Sequence, residues 1–411
     1  MAGEDLVVAA VFREERGRLL AALLRRFGDL DLAEEVTSDA VEEALAHWPV
    51  DGVPPNPGAW LMTTARRKAV DRLRRNQALA QRIAVLQVEA DRADPVTLPE
   101  PGATLPDERL RLFFTCAHPA LAEQDRGALT LRCLAGLTTP EVARAYLVPA
   151  ATMAKRIARA KNKIRGHRIP FRVPEEHELP ERLPGVLQVL YSVFTEGWSA
   201  SSGPEQQRLD LAEEAIRLAR ILRRLLPRER EVAGLLALML LVHARRATRL
   251  SAGGELLLLA DQDRTRWDRD LIAEGGALTE VALTGGPPGP YGVQAAIAAV
   301  HAEAPDVAGT DWPQVVALYD VLLLLLPSPV VAVNRAAAIA MRDGAEAGLV
   351  LLEQLHEHTR LHTYHPYLTA RADLLERLGR DEEAAHWYRA ALAVAGTGPE
   401  RAFLERKLHR Q

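Results

Sequence analysis

The sequence predicts an all-α protein: two small helical domains followed by a longer helical-repeat domain. Three observations predict it. Ala, Leu and Arg dominate while aromatic residues make up only 5% of the chain, and long stretches lack the β-branched runs that strands favour. Apolar residues recur at three- and four-residue spacing through segment after segment. Pro- and Gly-rich breaks divide those segments. With 411 residues there is room for two or three domains.

Residues 6–76 read as three helices. In the first, Phe12, Leu19, Leu20, Leu23, Leu24 and Phe27 form an apolar face that Gly28 and Asp29 end. The second, near 32–48, turns Leu32, Val36, Ala40, Ala44, Leu45 and Trp48 inward and Glu34, Glu35, Asp39, Glu42 and Glu43 outward. PVDGVPPNPG (49–58) reads as a loop, and a basic helix follows over 60–75. Residues 77–108 fade into a linker rich in Pro and acids. A second helical cluster spans about 107–168. Within it, LTTPEVARAYLVPAATMAKRIARAKNKIR has the layout of a helix-turn-helix. Thr139 is placed as a cap with Pro140 at the first helical position, LVPAA turns the chain, and a basic helix begins near Ala150. IPFRVPEEHELPERLPG is a Pro-rich bridge.

Residues 183–411 read as helical again, with breaks at EGWSASSGP, SAGG, TGGPPGPYG and LPSP. Near the end, Ala372, Gly379, Ala384, Tyr388 and Ala391 are spaced much as in a tetratricopeptide unit, and a degenerate copy is placed over 334–355 around Gly344. Such a helix pair buries its apolar face only by stacking on neighbours. TGGPPGPYG has no role that the sequence alone assigns.

The net charge of −4 hides an uneven distribution. Between 66 and 82 the cations Arg66, Arg67, Lys68, Arg72, Arg74, Arg75 and Arg82 face Asp71 alone, and residues 144–168 contain no acid. Two basic segments in a mildly acidic chain point to two nucleic-acid contacts. Cys116 and Cys133 are too few for a disulfide framework. The opening MAGEDLVVAAVFREE lacks a signal-peptide layout, and the apolar runs near 235–241 and 321–326 are too short for a bilayer. The expectation is a cytoplasmic protein with no membrane partner. Cys116, His118 and Cys133 do not have structural-zinc spacing, and His356, His358, His362 and His365 read as surface or packing groups. The Gly-rich stretches lack a P-loop context. No metal, no cofactor and no enzymatic activity are expected.

A helical wheel of the helix at Trp60 puts Leu61, Met62, Ala65, Ala69 and Leu73 on one side. Trp60, Thr63, Thr64, Arg67, Asp71, Arg74 and Arg75 fall on the other. Arginines that neutralise phosphates, beside an aromatic ring that replaces lost base stacking, suit strand separation. The loop around Asn56 suits an extruded base. On the helix from Ala150, Met153, Ile157, Ala160 and Ile164 make a buried stripe, opposite Thr152, Lys155, Arg156, Arg159, Asn162 and Lys163. Long donors on one side fit a recognition helix in a major groove.

Together these features resemble the extracytoplasmic-function sigma factors of bacterial RNA polymerase. LAEEVTSDAVEEALAHW is similar to their polymerase-binding helix, AWLMTTARRKAVDRLRR to the helix that melts and reads the −10 element, and the helix-turn-helix to their −35 reader. FTCAHPAL, RIPFRVP, VLQVLYSVFTEGWSASSG, TDWPQVVALYD, PSPVVAVNRA and RADLLERLGR resemble the subgroup with a long tetratricopeptide-like extension. The resemblance implies region 2 over 1–80, a linker over 81–106, region 4 over 107–168, a bridge over 169–182 and a regulatory helical domain over 183–411. It implies core RNA polymerase and promoter DNA as partners, with a further protein or peptide partner for the C-terminal domain. Glu34, Glu35, Asp39, Glu42 and Trp48 would face the polymerase. Asn56, Trp60, Thr63, Thr64, Arg67, Arg74 and Arg75 would face −10 DNA, and Thr152, Lys155, Arg156, Arg159, Asn162 and Lys163 the −35 DNA. Ala154 and Lys155 stand where many members have Lys and Ser, and Ala117 where the subgroup often has a second cysteine. A helix-turn-helix activator with a sensing repeat domain explains the second basic helix but not the first, and a tetratricopeptide scaffold explains neither.

Overall fold

A computed structural model describes residues 2–83, 108–146, 148–167, 169–199, 207–251 and 253–409. Among them the secondary structure is helical, apart from one isolated bridge between Leu250 and Leu256. The chain forms two compact units, Met1–Val189 and Leu190–Gln411.

The first unit begins with α1 (Ala2–Phe27), α2 (Leu30–Asp51) and α3 (Pro57–Ile83), which pack on one another. Gly28, at φ 69°, ends α1. The Asp29 carboxylate then accepts the Asp31 and Leu32 N–H groups at 2.8 and 3.1 Å and starts α2. Leu19, Leu20, Leu23 and Leu24 are buried with Val36, Ala40, Ala44, Leu61, Met62, Ala65 and Ala69. The predicted place of Phe12 in this face lies outside the described side chains. Leu45 and Leu73 are exposed, against expectation. Among the described side chains of α3, which run to Arg75, none after Ala69 is buried, so Leu73 lies past the core. The loop after α2 is also shorter than predicted. Pro49 sits inside the last turn of α2, and the helix ends only where Gly52, at φ 83°, donates to the Trp48 carbonyl at 2.9 Å.

Helices α4 (Arg109–Cys116), α5 (Glu123–Thr130), α6 (Thr139–Ala145) and α7 (Ala150–Gly166) form the second cluster, with one π-helical turn at Leu131–Ala135. The cap of α6 is Thr138, one residue before the expected Thr139. The Glu141 carboxylate accepts the Thr138 N–H at 2.6 Å and its hydroxyl at 2.7 Å, a capping box. Helix α8 (Leu179–Trp198) leads out of this unit.

The second unit stacks α9 (Leu209–Leu225), α10 (Arg230–His243), α11 (Arg269–Leu283), α12 (Pro290–Glu303) and α13 (Trp312–Leu325), each against its chain neighbours. It ends with α14 (Pro329–Asp343), α15 (Ala345–Gln354), α16 (His365–Arg377), α17 (Asp381–Val394) and α18 (Gly398–His409). Ala372, Ala384, Tyr388 and Ala391 are all buried in the α16–α17 pair, which turns at Gly379 with φ 70°. The predicted degenerate copy is the α14–α15 pair, turning at Gly344. The TGGPPGPYG break is a helix joint. Arg230 donates to the carbonyls of Thr284, Gly286 and Pro287 at 3.2, 2.9 and 3.0 Å. Glu231 accepts the Tyr291 and Gly292 N–H groups at the start of α12, both at 3.0 Å.

Candidate nucleic-acid interface

Helix α3 carries the first basic surface. Asn56 is exposed, and its side-chain oxygen accepts the Ala59 N–H at 3.1 Å, capping α3 with Pro57 at the first position. Trp60 is half-buried, its ring edge-on to Trp48 with centroids 5.4 Å apart and 67° between planes. Thr63, Arg67, Arg74 and Arg75 are exposed. Thr64 is a correction: it is only 7% exposed. On the helix circumference it falls between Trp60 and Leu61 and is covered along with Leu61.

The acidic face of α2 and the basic face of α3 are joined rather than separate. Arg67 and Lys68 pair with Glu43 at 2.5 and 2.7 Å, and Arg72 pairs with Glu35 and, at 3.3 Å, with Asp39. Hydrogen bonding from Lys68, then from Arg67, holds the Glu43 carboxyl below the usual range. Glu35 and Glu42 are exposed and Asp39 half-exposed. Among the described residues no carboxylate pairs with Arg74 or Arg75.

Two residues expected to face the polymerase do not reach the surface. Trp48 is buried, filling the end of the core beneath Trp60. Glu34 is only 6% exposed. Lys161 of α7 donates to it, Arg132 lies 3.3 Å away, and Arg16 of α1 lies 3.7 Å away. A carboxylate among three cations must be buried with them, because taking any of them from water unpaired is costly. The same edge of α2 offers Asp31, which pairs with Lys161 at 3.0 Å and with Arg165. Burial alone would raise the Asp31 carboxyl, but hydrogen bonds from Lys161 and Arg165 hold it below its ordinary value. Burial would likewise lower the Lys161 ammonium, yet Glu34 and Asp31 hold it up. A cleft of about 230 Å³ runs along this α2–α7 contact, lined by Asp31, Glu34, Arg132, Ile157, Lys161 and Asn162. The sequence reading passed over Lys161 and Arg165. The available signal was their four-residue spacing on the flank between the buried stripe and the polar face.

Helix α7 carries the second basic surface. Met153, Ile157 and Ala160 are buried and Ile164 half-buried. Thr152, Lys155, Arg159 and Asn162 are exposed, and Arg156 and Lys163 half-exposed. Among the described residues Lys155, Arg156 and Lys163 have no carboxylate partner. Arg159 is 66% exposed but pairs at 2.9 Å with Asp125 of α5, which raises its pKa.

Two known families match the segments that carry these surfaces. "Sigma-70 region 2" matches residues 11–79, which hold α2 and most of α3. "Sigma-70, region 4" matches residues 114–164, which hold α5, α6 and nearly all of α7. The "ECF RNA polymerase sigma factor SigK" of Mycobacterium tuberculosis (strain ATCC 25618 / H37Rv) is 30% identical over 167 residues, 40% of this chain and 88% of that protein. The chain belongs to the ECF RNA polymerase sigma factors.

The SigK protein of Mycobacterium sp. (strain JLS) is 31% identical over 163 residues, 79% of its length. Behind the sigma regions, residues 182–283 match a "Family of unknown function (DUF6596)". An uncharacterized protein of Rhizobium meliloti (strain 1021) is 43% identical over 396 residues, 96% of this chain and 93% of that protein, so this relative shares the long extension of the sigma factor. No solved structure matches the chain. Sigma regions of this kind serve transcription initiation at promoter DNA with core RNA polymerase. No helix among the described residues is long and apolar enough to cross a membrane.

Cys116 and Cys133 are buried and free, and their mutual hydrogen bond, then burial, pushes the Cys116 thiol up. His118 accepts the Ala120 N–H at 3.1 Å. Among the described residues no group of three or more His, Cys, Asp or Glu is placed to hold a metal.

Proposed function

We propose that this sigma factor directs core RNA polymerase to promoters through a division of labour between α3 and α7. Residues 1–80 serve as region 2, 107–168 as region 4, and 183–411 as a regulatory helical domain, joined through 81–106 and 169–182. Exposed Glu35 and Glu42, with half-exposed Asp39, are the contacts for the polymerase; Glu34 and Trp48 support them from inside. Asn56, Trp60, Thr63, Arg67, Arg74 and Arg75 take the −10 strand. Thr152, Lys155, Arg156, Arg159, Asn162 and Lys163 take the −35 duplex. The observation that carries this reading is the polar side of α7. It offers three cations without a carboxylate partner among the described residues, and an unneutralised cation gains most from displacing counterions on DNA.

The α2–α7 contact supports a closed arrangement of the free sigma regions. Elements centred at −10 and −35 lie about 25 base pairs apart, about 85 Å of B-DNA. Helix α3 packs on α2, and α2 touches α7, so α3 and α7 reach both elements only after α7 leaves α2.

Run-off transcription with core enzyme and no other sigma tests the reading, comparing the full chain with a 1–170 truncation. A transcript from the full chain or the truncation is expected, and the difference between them reports the sign of C-terminal regulation; no transcript from either overturns the proposal. Charge reversal at Arg67 or Arg74 should impair open-complex formation. Reversal at Arg156 or Arg159 should weaken duplex binding and flatten its salt dependence by about one counterion per residue.

A further inference from the structure

Within the C-terminal unit, Trp198, Arg245, Arg249, Arg264 and Trp267 come together from the end of α8, the turn after α10 and the approach to α11. The Arg245 guanidinium carbon lies 5.5 Å from the Trp198 ring centroid and 6.0 Å from that of Trp267. Arg249 lies 4.6 Å over Trp198, and Arg264 5.1 Å over Trp267.

The neighbouring arginines have work inside the fold. Arg264 donates to the carbonyls of His301 and Ala304 at 2.6 and 3.1 Å, closing the end of α12. Arg246 pairs with Asp268 at 3.0 Å. Arg249 gives one N–H to the Trp198 carbonyl. Arg245 is different. Among the described residues no carboxylate pairs with it and no acceptor takes a hydrogen bond from its guanidinium, and its Nε is buried without a partner. Burial, then Arg249 and Arg264, pushes its pKa down to about 10. Nearby His301 offers no negative charge, and its own Nδ1 is buried without a partner. Glu400, the carboxylate that acts on Arg249, accepts the Gly396 and Thr397 N–H groups at 3.2 Å.

A guanidinium has five N–H donors in a planar fork, and the buried Nε–H of Arg245 is costly to leave unmet. The two indoles offset part of that through cation–π attraction on the faces. They do nothing for the edge, where the N–H groups point, and an oxyanion is the group that satisfies such an edge in bidentate fashion. We propose that Arg245 and Arg249, flanked by Trp198 and Trp267, form a binding site for the carboxylate or phosphate group of a small anionic ligand. All four residues lie within 182–283, the span of the family of unknown function. The site stands independently of the promoter-binding reading.

The full-length protein is titrated at constant ionic strength, exchanging chloride for inorganic phosphate in one series and for acetate or benzoate in another. Tryptophan fluorescence and the thermal midpoint are followed. A saturable response is expected in at least one series, and that series tells phosphate from carboxylate. Arg245→Gln should weaken it at least tenfold. Arg245→Lys, which keeps the charge and loses the fork, should weaken it at least fivefold and decides the matter if the glutamine variant does not fold. No saturable response in either series, or an affinity unchanged in the variants, overturns the proposal.

Discussion

Replacing Glu34 by Gln separates two roles for one residue. The sequence places Glu34 among acids that face the polymerase. The structure surrounds it with Lys161, Arg132 at 3.3 Å and Arg16 at 3.7 Å, side chains that are 14%, 18% and 4% exposed. At an effective dielectric of about 20, a unit charge pair at that range is worth about 5 kcal/mol before desolvation is subtracted. Removing the carboxylate while leaving the cations buried costs about 3–5 kcal/mol, against about 5–15 kcal/mol for a whole domain. For a unit of this length each kcal/mol moves the midpoint by about 2–4 °C, so a fall of about 6–20 °C is expected. Circular dichroism melting of the full chain reads it, and hydrogen exchange in α2 and α7 should locate the loosening. A surface contact with polymerase would instead leave stability within about 0.5 kcal/mol. A variant melting within about 1 °C of the wild type, with slower transcription, would refute the buried-cluster argument.

Other consequences are as direct. Burial, then Arg246, holds His243 at about 4, with Asp268 acting the other way and Glu213 at 3.8 Å; burial, then Arg245 and Arg264, holds His301 at about 4. Both bind a proton in the unfolded chain below about 6.5 and not in the fold. The C-terminal unit should therefore lose stability as pH falls from about 6.5 to 4, and a midpoint constant across that window would contradict it. A Cβ at Gly234 would meet the backbone nitrogen of Gly292 at 2.6 Å, where α10 and α12 touch. Gly234→Ala should cost about 1–3 kcal/mol or more, read as an earlier thermal transition. Cysteines placed by Asp31→Cys and Arg165→Cys, joined by a bifunctional thiol reagent that spans the length of the lost arginine side chain, should hold α2 on α7 and abolish promoter-dependent transcription, with little interference from the buried native thiols. Transcription unchanged by the cross-link would mean that α7 need not leave α2.

Most of the fold was legible because it follows local rules. The helices announce themselves by apolar spacing, and their ends by Gly28, Asp29, Gly344 and Gly379. Where local reading slipped, the competing interaction was small and close by. Thr138 took the cap expected at Thr139 because Glu141 closes a box with it. Helix α2 ran through Pro49 because the residue that ends it is Gly52, whose positive φ reverses the chain. The TGGPPGPYG break kept its meaning hidden because its partners, Arg230 and Glu231, lie more than fifty residues earlier.

The site was legible by type and less so by position, and Glu34 shows why. On α2 it is indistinguishable by pattern from Glu35 or Glu42: each is an acid in a run of acids. Its burial is decided by Arg16, on another helix, and by Lys161, 127 residues away. A wheel registers only which residues share a side of one helix. It has no information about which side another domain will cover, and a long-range ion cluster has no period. The same blindness runs the other way at Arg245, which reads as one more arginine in ARRATR. Its distinction is that the charges placed around it are cations, and that emerges only when Arg249 and Arg264 are brought together with it in space. Periodicity therefore identifies surfaces that serve an extended partner such as DNA, where many like residues share one face. Sites built from single residues on several elements need the fold.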